Sequence, residues 1–144
     1  MRSIWVGLLS LVGCQQVTLS EQAQRGQSVY QQHCSSCHQP TGQGIPGNIP
    51  PLANSEWMSA QPTVPIRIVL HGLNGPISVA GSTYDGVMLA HKDILSDQQI
   101  ADVLSYCRVA WGAQGDAISV DTVTDIRRQH ADRSIPWTTQ TLQQ

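Results

Sequence analysis

Hydrophobic side chains recur with helical spacing in several stretches of the chain. The clearest stretch follows Ser96, and its apolar or small members are Ile100, Val103, Leu104, Cys107 and Trp111. Ser96 and Gln99 form the S-x-x-Q signature of a capping box, and Gly112 ends the pattern. The spacing therefore predicts a helix that starts at Ser96 and stops at Gly112.

A more polar helix is predicted near the start of the chain. Ser20 can cap it, and Glu21 complements the positive end of the helix dipole. Gly26 and Tyr30 are four positions apart and share one face of this helix. A glycine lets a second helix approach closely, so we expect this face to meet Val103 and Tyr106 of the last core helix.

Two shorter elements lie between these helices. Val64 to His71 is an apolar stretch that tolerates Pro65 in its first turn and stops at Gly72, which predicts a short helix. Ile77 to Tyr84 alternates around Gly81 and predicts a small strand or hairpin.

The tail is predicted to hold one helix and one apolar anchor. Thr122 to Ala131 has helical character, with Asp121 or Thr122 as its starting residue. Ile135-Pro136-Trp137 can fold back onto the core. We expect the tail to act as a structural clamp rather than as a docking arm.

Composition restricts the class of protein. The chain has 144 residues, of which 40% are hydrophobic and 12% charged, which is enough for one domain with a tail. The 8 basic and 10 acidic residues give a net charge of −2. The basic residues are scattered rather than arranged as a stripe, so we expect no nucleic-acid partner.

The first residues have the pattern of an export signal. Arg2 precedes an apolar run from Ile4 to Val12, which is shorter than the roughly 20 residues that a membrane span needs. Leu11-Val12-Gly13-Cys14 resembles the lipobox of bacterial lipoproteins, in which cleavage precedes a cysteine that is then acylated. The alternatives are an ordinary signal peptide or a buried first helix that happens to contain a cysteine.

The chain has four cysteines, an even number that would allow two disulfides. Two of them lie in Cys34-Ser35-Ser36-Cys37-His38, the C-x-x-C-H pattern of c-type haem attachment. Two thiols on one helical turn can reach the two vinyl groups on one edge of a porphyrin, and the next residue then directs an imidazole at the iron. A thioredoxin-like motif would follow an apolar strand, and a zinc ribbon would need a second cysteine pair, whereas Cys107 stands alone.

The surroundings of this motif resemble class I cytochrome c, specifically the bacterial monohaem domains found with membrane-bound dehydrogenases and nitrite reductases. The resemblance covers about residues 22–112. The matching stretches are Gly26–Tyr30, Cys34–His38, Pro50-Pro51-Leu52-Ala53, Leu70 to Pro76, Tyr84 to Met88, and Leu95 to Gly112. The resemblance implies an all-α fold, a few helices wrapped around one covalently bound haem c, with a C-terminal extension.

The resemblance also implies a set of site residues. His38 would be the proximal ligand and Met88 the distal ligand, and a thioether is a soft ligand that favours Fe(II). Pro50 matches the proline whose carbonyl accepts from the proximal histidine, and Leu52 would form part of the wall with Ile68, Val69 and Leu73. The family usually has proline after the methionine, whereas this chain has Leu89, which leaves His91 as an alternative ligand.

Three further residues are weighed for this site. Trp57 could wall the pocket or donate to a haem propionate. Arg67 could pair with a propionate, although a solvated helix face is the simpler expectation. Cys107 occupies the buried face of the last helix, where a free cysteine behaves as a small hydrophobic residue.

These features predict four segments. They are a signal peptide (1–13), a lipid-anchored linker (14–20), a cytochrome c domain (21–112) and a C-terminal extension with one short helix (113–144). We expect a periplasmic electron carrier, not an enzyme, that is tethered by a lipid on Cys14 to the inner or outer membrane. Its partners would be redox proteins such as a dehydrogenase, a nitrite reductase or a terminal oxidase, with no small-molecule substrate. The alternatives are a haem enzyme or gas-binding sensor with an open or His-ligated distal site, and a redox-inert structural subunit.

Overall fold

The computed structural model describes residues 20–112 and 116–144. The predicted signal peptide and the candidate lipidation site at Cys14 lie outside this range. The described residues fold mainly into helices, as expected, with one small antiparallel sheet. The elements are α1 (Glu21–His33), α2 (Ser35–His38), α3 (Glu56–Ser59), α4 (Thr63–His71), β1 (Leu73–Val79), β2 (Ser82–Met88), α5 (Asp97–Ala110), α6 (Val120–Gln129) and α7 (Thr139–Leu142). Within this part of the chain, no helix is long and apolar enough to cross a membrane.

The predicted caps set the ends of the two longest helices. The Ser20 side chain accepts a hydrogen bond from the backbone of Ala23 at the start of α1. Ser96 and Gln99 form the predicted reciprocal capping box at the start of α5. Each cap satisfies backbone donors that have no partner within the helix.

Helix α1 crosses α5 at Gly26. A Cβ atom at Gly26 would lie 1.9 Å from the carbonyl oxygen of Asp102 and 2.7 Å from Cβ of Tyr106. The Tyr30 ring lies next to that of Tyr106, with ring centroids 5.8 Å apart. The predicted contact with Tyr106 is thus confirmed. The other atoms nearest to Gly26 belong to the backbone carbonyl of Asp102, a residue that the sequence did not single out, while Val103 lies in the same core cluster as Tyr30 and lines the cavity described below.

Helix α4 leads directly into a hairpin that is longer than predicted. Gly72 ends the helix with φ +79° and a hydrogen bond from its amide to Ile68 O (2.7 Å). β1 and β2 then pair from Leu73 opposite Met88 to Val79 opposite Ser82. Because the side chains of a strand alternate, one face of the hairpin turns Leu73, Ile77 and Val79 inward, and all three are buried.

The C-terminal extension packs onto the core and holds two helices, α6 and α7, rather than the one predicted. α6 is capped by Ser119, so the predicted start at Asp121 or Thr122 was too late. In the predicted apolar anchor, Trp137 is buried (5% exposed), whereas Ile135 is exposed (65%). Trp137 alone is therefore the apolar contact within that tripeptide.

The buried side chains form two clusters. The larger cluster joins α1, α4, α5 and α6, and it includes Tyr30, Leu70, Ile100, Leu104 and Val123. The smaller cluster joins the hairpin to the extension, and it includes Ile68, Leu73, Ile77, Tyr84 and Trp137. Members of both clusters line one cavity, so the cavity lies where the two clusters meet.

Candidate functional site

A cavity of about 510 Å³ brings together the residues that the sequence singled out. Its walls come from α2, the loop after it, α4, the hairpin and α5. The predicted residues among its lining are Cys34, Cys37, His38, Pro50, Leu52 and Met88. The rest of the lining is mostly apolar, as is usual for a cofactor pocket.

The two thiols and the imidazole lie on one helical turn. Cys34 ends α1 and begins α2, and its amide donates to Tyr30 O (2.9 Å). Cys34 is half-buried, and this burial raises the pKa of its thiol to about 11. Cys37 is exposed at the next turn. Both sulfur-bearing residues therefore approach the cavity from the same side as His38.

His38 is buried, and a backbone carbonyl fixes its ring. Its Nδ1 lies 3.0 Å from Pro50 O, as the resemblance implies for these two residues. Burial lowers the pKa of His38, so the imidazole is neutral at pH 7. In the tautomer in which Nδ1–H donates to Pro50 O, the lone pair is on Nε2. That is the tautomer a metal-binding histidine requires.

The loop between His38 and Pro50 is held close to the imidazole by a tight backbone contact. The Gly44 amide donates to His38 O (3.0 Å), and Gly44 has φ +64°. A Cβ atom at Gly44 would lie 2.3 Å from Ile49 O, so a larger residue would push the Pro50 carbonyl away from the histidine. The start of this loop is held to α1, because the Tyr30 hydroxyl donates to the carbonyl oxygen of Gln39, the residue after His38 (2.6 Å).

Both candidates for a second iron ligand line the cavity. Met88 is the last residue of β2, is half-buried, and pairs with Leu73 across the hairpin. His91 lies three residues later, with Nδ1 2.9 Å from Leu89 O and its amide donating to Val69 O (2.9 Å). Leu89, which stands in place of the expected proline, is 74% exposed.

The structure also places the other predicted wall residues. Leu52, Ile68, Val69 and Leu73 all line the cavity. The Trp57 ring does so as well, while its indole N–H donates to Ser78 O (2.8 Å) and is therefore already occupied. Arg67 lies over the Trp137 ring, at 5.3 Å, rather than on a simple solvated face.

Sequence reasoning missed part of the lining. Ile77, Val79 and Tyr84 form a wall of the cavity from the inward face of the hairpin, and Cys107 and Leu104 form another from α5. The alternation of Ile77 and Val79 was the available signal, but it could not show that this face covers a cavity rather than packs against a helix. His33 also contributes to the lining.

The residues present fit a covalently bound porphyrin. The cavity volume is within the range of about 300–1,000 Å³ typical of ligand sites. Two thiols and a neutral imidazole converge on it from one helical turn, and β2 supplies a thioether. Cys34, Cys37 and Cys107, the cysteines in the described part of the chain, are all free thiols, and no disulfide joins any two of them. In the same part of the chain, no group of three or more His, Cys, Asp or Glu side chains is placed to hold a metal ion, as a zinc ribbon would require.

Comparison with known proteins agrees with this geometry. The Cytochrome c family model matches residues 23–111. Cytochrome c-552 of Thermus thermophilus is 43% identical over 91 residues, which cover 60% of this chain and 68% of that protein. The cytochrome c subunit of a quinone alcohol dehydrogenase from Gluconacetobacter polyoxogenes is 35% identical over 106 residues, or 71% of this chain and 22% of that subunit. The gluconate 2-dehydrogenase cytochrome c subunit of Pantoea cypripedii is 32% identical over 117 residues, or 80% of this chain and 26% of that subunit.

The chain thus corresponds to about two thirds of a cytochrome c-552 and about a quarter of the larger dehydrogenase subunits. The family-model match includes the C-x-x-C-H turn, the hairpin and α5, which together enclose the cavity. The chain belongs to the cytochrome c family, and it is a monohaem electron-transfer protein with covalently attached haem c.

Proposed function

We propose that this cytochrome transfers single electrons through an iron held by His38 and Met88, with the haem tethered by thioether bonds to Cys34 and Cys37. The observation that carries this proposal is the buried His38, which contacts Pro50 O through Nδ1 on the wall of a cavity that also contains both thiols and Met88. Bound haem supplies a one-electron Fe(III)/Fe(II) couple. The protein orients the ligands and surrounds the ring with apolar side chains, and both effects tune the potential of that couple.

Met88 is favoured over His91 by its place in the hairpin. Met88 is held in register opposite Leu73, so its position is defined by a strand pair, whereas His91 lies in the loop after the strand. A thioether in the sixth position raises the reduction potential. A filled sixth position also argues for electron transfer over a haem enzyme or gas sensor, which would need an open iron.

The ligand assignment is tested by comparing Met88→Ala with His91→Ala. We expect oxidised wild-type protein and His91→Ala to show the weak near-infrared band of an iron–thioether bond, and Met88→Ala to lack it. A wild-type protein that lacks the band, with a low-spin spectrum that changes in His91→Ala but not in Met88→Ala, would assign His91 as the ligand and favour the His-ligated alternative. Pyridine haemochrome spectra of Cys34→Ser and Cys37→Ser should each show loss of one thioether bond.

The proposed docking surface is the apolar rim of the cavity. Val87, Leu89 and Ile94 are 64%, 74% and 60% exposed, and all three line the mouth of the cavity. Small interfaces are typical of weak, transient electron-transfer encounters. The relatives described as dehydrogenase subunits support a dehydrogenase as one partner, and nitrite reductases and terminal oxidases are the other candidates. Leu89→Lys should slow electron exchange with such a partner without changing the spectrum, and an unchanged rate would contradict this docking surface.

We further propose that the protein acts outside the cytoplasm, in the bacterial periplasm, anchored to a membrane by a lipid on Cys14. The lipobox-like sequence before Cys14 supports this proposal. In this scheme residues 1–13 are removed, 14–20 form the linker, 21–112 form the cytochrome domain and 113–144 form the extension. Cys14→Ser should abolish incorporation of labelled fatty acid and release the protein from the membrane fraction. Retention of Cys14→Ser in that fraction would exclude the lipid as the anchor.

A further inference from the structure

The C-terminal extension holds the chain on both sides of Met88. We propose that it acts as a brace that positions this ligand, with Trp137 and Arg127 as the positioning residues. The brace is directed at residues 86–95, hereafter the Met88 segment. This inference rests on the proposed ligation of iron by Met88.

Trp137 braces the Met88 segment from the hairpin side. Its amide donates to Gly72 O (3.0 Å), and its carbonyl accepts from the Asn74 amide (2.8 Å). These bonds make Trp137 a parallel neighbour of Leu73, which is paired with Met88 on its other side. Backbone displacement at Trp137 is therefore transmitted to Met88 through a single residue, Leu73.

Close backbone packing stiffens the same connection. A Cβ atom at Gly72 would lie 2.4 Å from Met88 O, so the backbone of residue 72 is in direct contact with that of the ligand. Gly72 is also the residue whose carbonyl accepts from Trp137. One residue thus contacts both the brace and the ligand.

The Trp137 side chain is itself immobilised. Its ring is 5% exposed and belongs to the cluster against which Met88 packs. The Arg133 guanidinium carbon lies 3.5 Å from the ring centroid, and that of Arg67 lies 5.3 Å from it. Cation–π contacts of this kind stabilise an aromatic ring in one orientation.

Arg127 braces the Met88 segment from the other side. Its guanidinium donates to Lys92 O (2.6 Å) and Leu95 O (2.8 Å), two carbonyls in the loop that follows Met88. Asp97 anchors the guanidinium through a third bond to Nε (2.5 Å). In addition, Lys92 Nζ donates to Arg133 O (3.2 Å). A single side chain of α6 therefore fixes the loop that leaves the ligand.

The sequence around Met88 makes such a brace necessary. Proline would fix φ of the residue after the ligand, whereas Leu89 leaves it free to rotate. Leu89 is 74% exposed, so packing does not restrain it. The backbone bonds from His91 to Val69 O and from Lys92 to Leu70 O hold the loop to α4, and Arg127, together with the bond from Lys92 Nζ to Arg133 O, holds it to the extension.

A positioning role and a merely stabilising role predict different behaviour. If the extension only adds stability, its removal shifts global unfolding, and the thioether–iron bond is lost in the same transition. If it positions Met88, weakening it lets an external ligand displace the thioether while the protein remains folded. The binding of imidazole to the ferric protein measures this displacement.

The test uses Arg127→Met, with Arg128→Met as the matched control. Arg128 lies on the same helix but forms an exposed ion pair with Asp125, away from the Met88 segment. We expect Arg127→Met to raise the affinity for imidazole about tenfold, equivalent to ~1.4 kcal/mol, and Arg128→Met to leave it unchanged. Arg127→Lys and Trp137→Phe are milder variants that keep the readout available if Arg127→Met does not fold.

Two further measurements separate the possible outcomes. Native-state hydrogen exchange should increase in residues 86–95 of Arg127→Met while exchange in α1 stays unchanged. Equal imidazole affinity in all variants, with the near-infrared band lost only at global unfolding, would overturn the brace. A near-infrared band that persists in Met88→Ala would instead refute the proposed ligand, so the two failures are distinguishable.

Discussion

Gly26→Ala tests the helix crossing on which the core depends. The added methyl group would lie 1.9 Å from Asp102 O and 2.5 Å from the carbonyl carbon of the same residue. Carbon–oxygen contacts are rarely shorter than about 3.3 Å. Helix α5 must therefore move away from α1 by roughly 1.4 Å, and backbone atoms cannot rotate aside as a flexible side chain can.

The energetic effect follows from opposing contributions. Alanine would gain up to about 1 kcal/mol in helix propensity over glycine. Overpacking of a well-filled core costs typically ~1–3 kcal/mol, and more when the backbone must shift. Separating the Tyr30 and Tyr106 rings would lose a further ~0.5–1.5 kcal/mol. We therefore expect a net loss of about 2 kcal/mol in the free energy of unfolding.

The assay is thermal and denaturant unfolding of the haem-loaded protein. The control is Gln31→Ala, an exposed position on the same helix. A loss of about 2 kcal/mol should lower Tm by roughly 8 °C for a chain of this size. A Gly26→Ala protein as stable as Gln31→Ala would refute the close helix crossing.

Three other predictions concern single groups. Burial and nearby cationic side chains lower the pKa values of His71 and His130, so the unfolded chain binds more protons than the folded one. The free energy of unfolding should therefore fall as the pH drops below about 6.5. A denaturation series from pH 8 to 5 checks this, and a flat profile would contradict it. Burial raises the pKa of the Cys107 thiol, so in the folded holoprotein it should resist alkylation that proceeds after unfolding. Tyr30→Phe removes the bond to Gln39 O and should cost ~1 kcal/mol in unfolding experiments, whereas wild-type stability would show that this bond contributes nothing.

The elements that the sequence predicted well are those with local signals. The capping residues Ser20 and Ser96 and the stop at Gly72 define helix ends through bonds within a few residues, and all three were identified correctly. The C-x-x-C-H turn is equally local, because its geometry requires one helical turn.

The parts that the sequence could not supply depend on contacts between distant residues. The close approach of the Asp102 carbonyl to Gly26 depends on how α5 is rotated about its axis, which hydrophobic spacing alone does not fix. The cap of α6 at Ser119 was missed because Asp121 and Thr122 are also suitable caps by residue type. The role of Arg127 had no signal at all, since its partners are backbone carbonyls more than thirty positions away.

The cavity between the two clusters has a consequence for how the protein is made. The cavity lies between an apolar wall formed by the hairpin and another formed by α5, so a bound ring would contact both walls and join the two clusters. The proposed thioether bonds to the exposed Cys37 and the half-buried Cys34 require a planar cofactor to enter between these walls. In the proposed scheme, haem attachment precedes complete packing of the core, so chains without haem should be cleaved faster than the holoprotein in a limited-proteolysis assay. Filling of the cavity would thereby couple attachment of the cofactor to completion of the core.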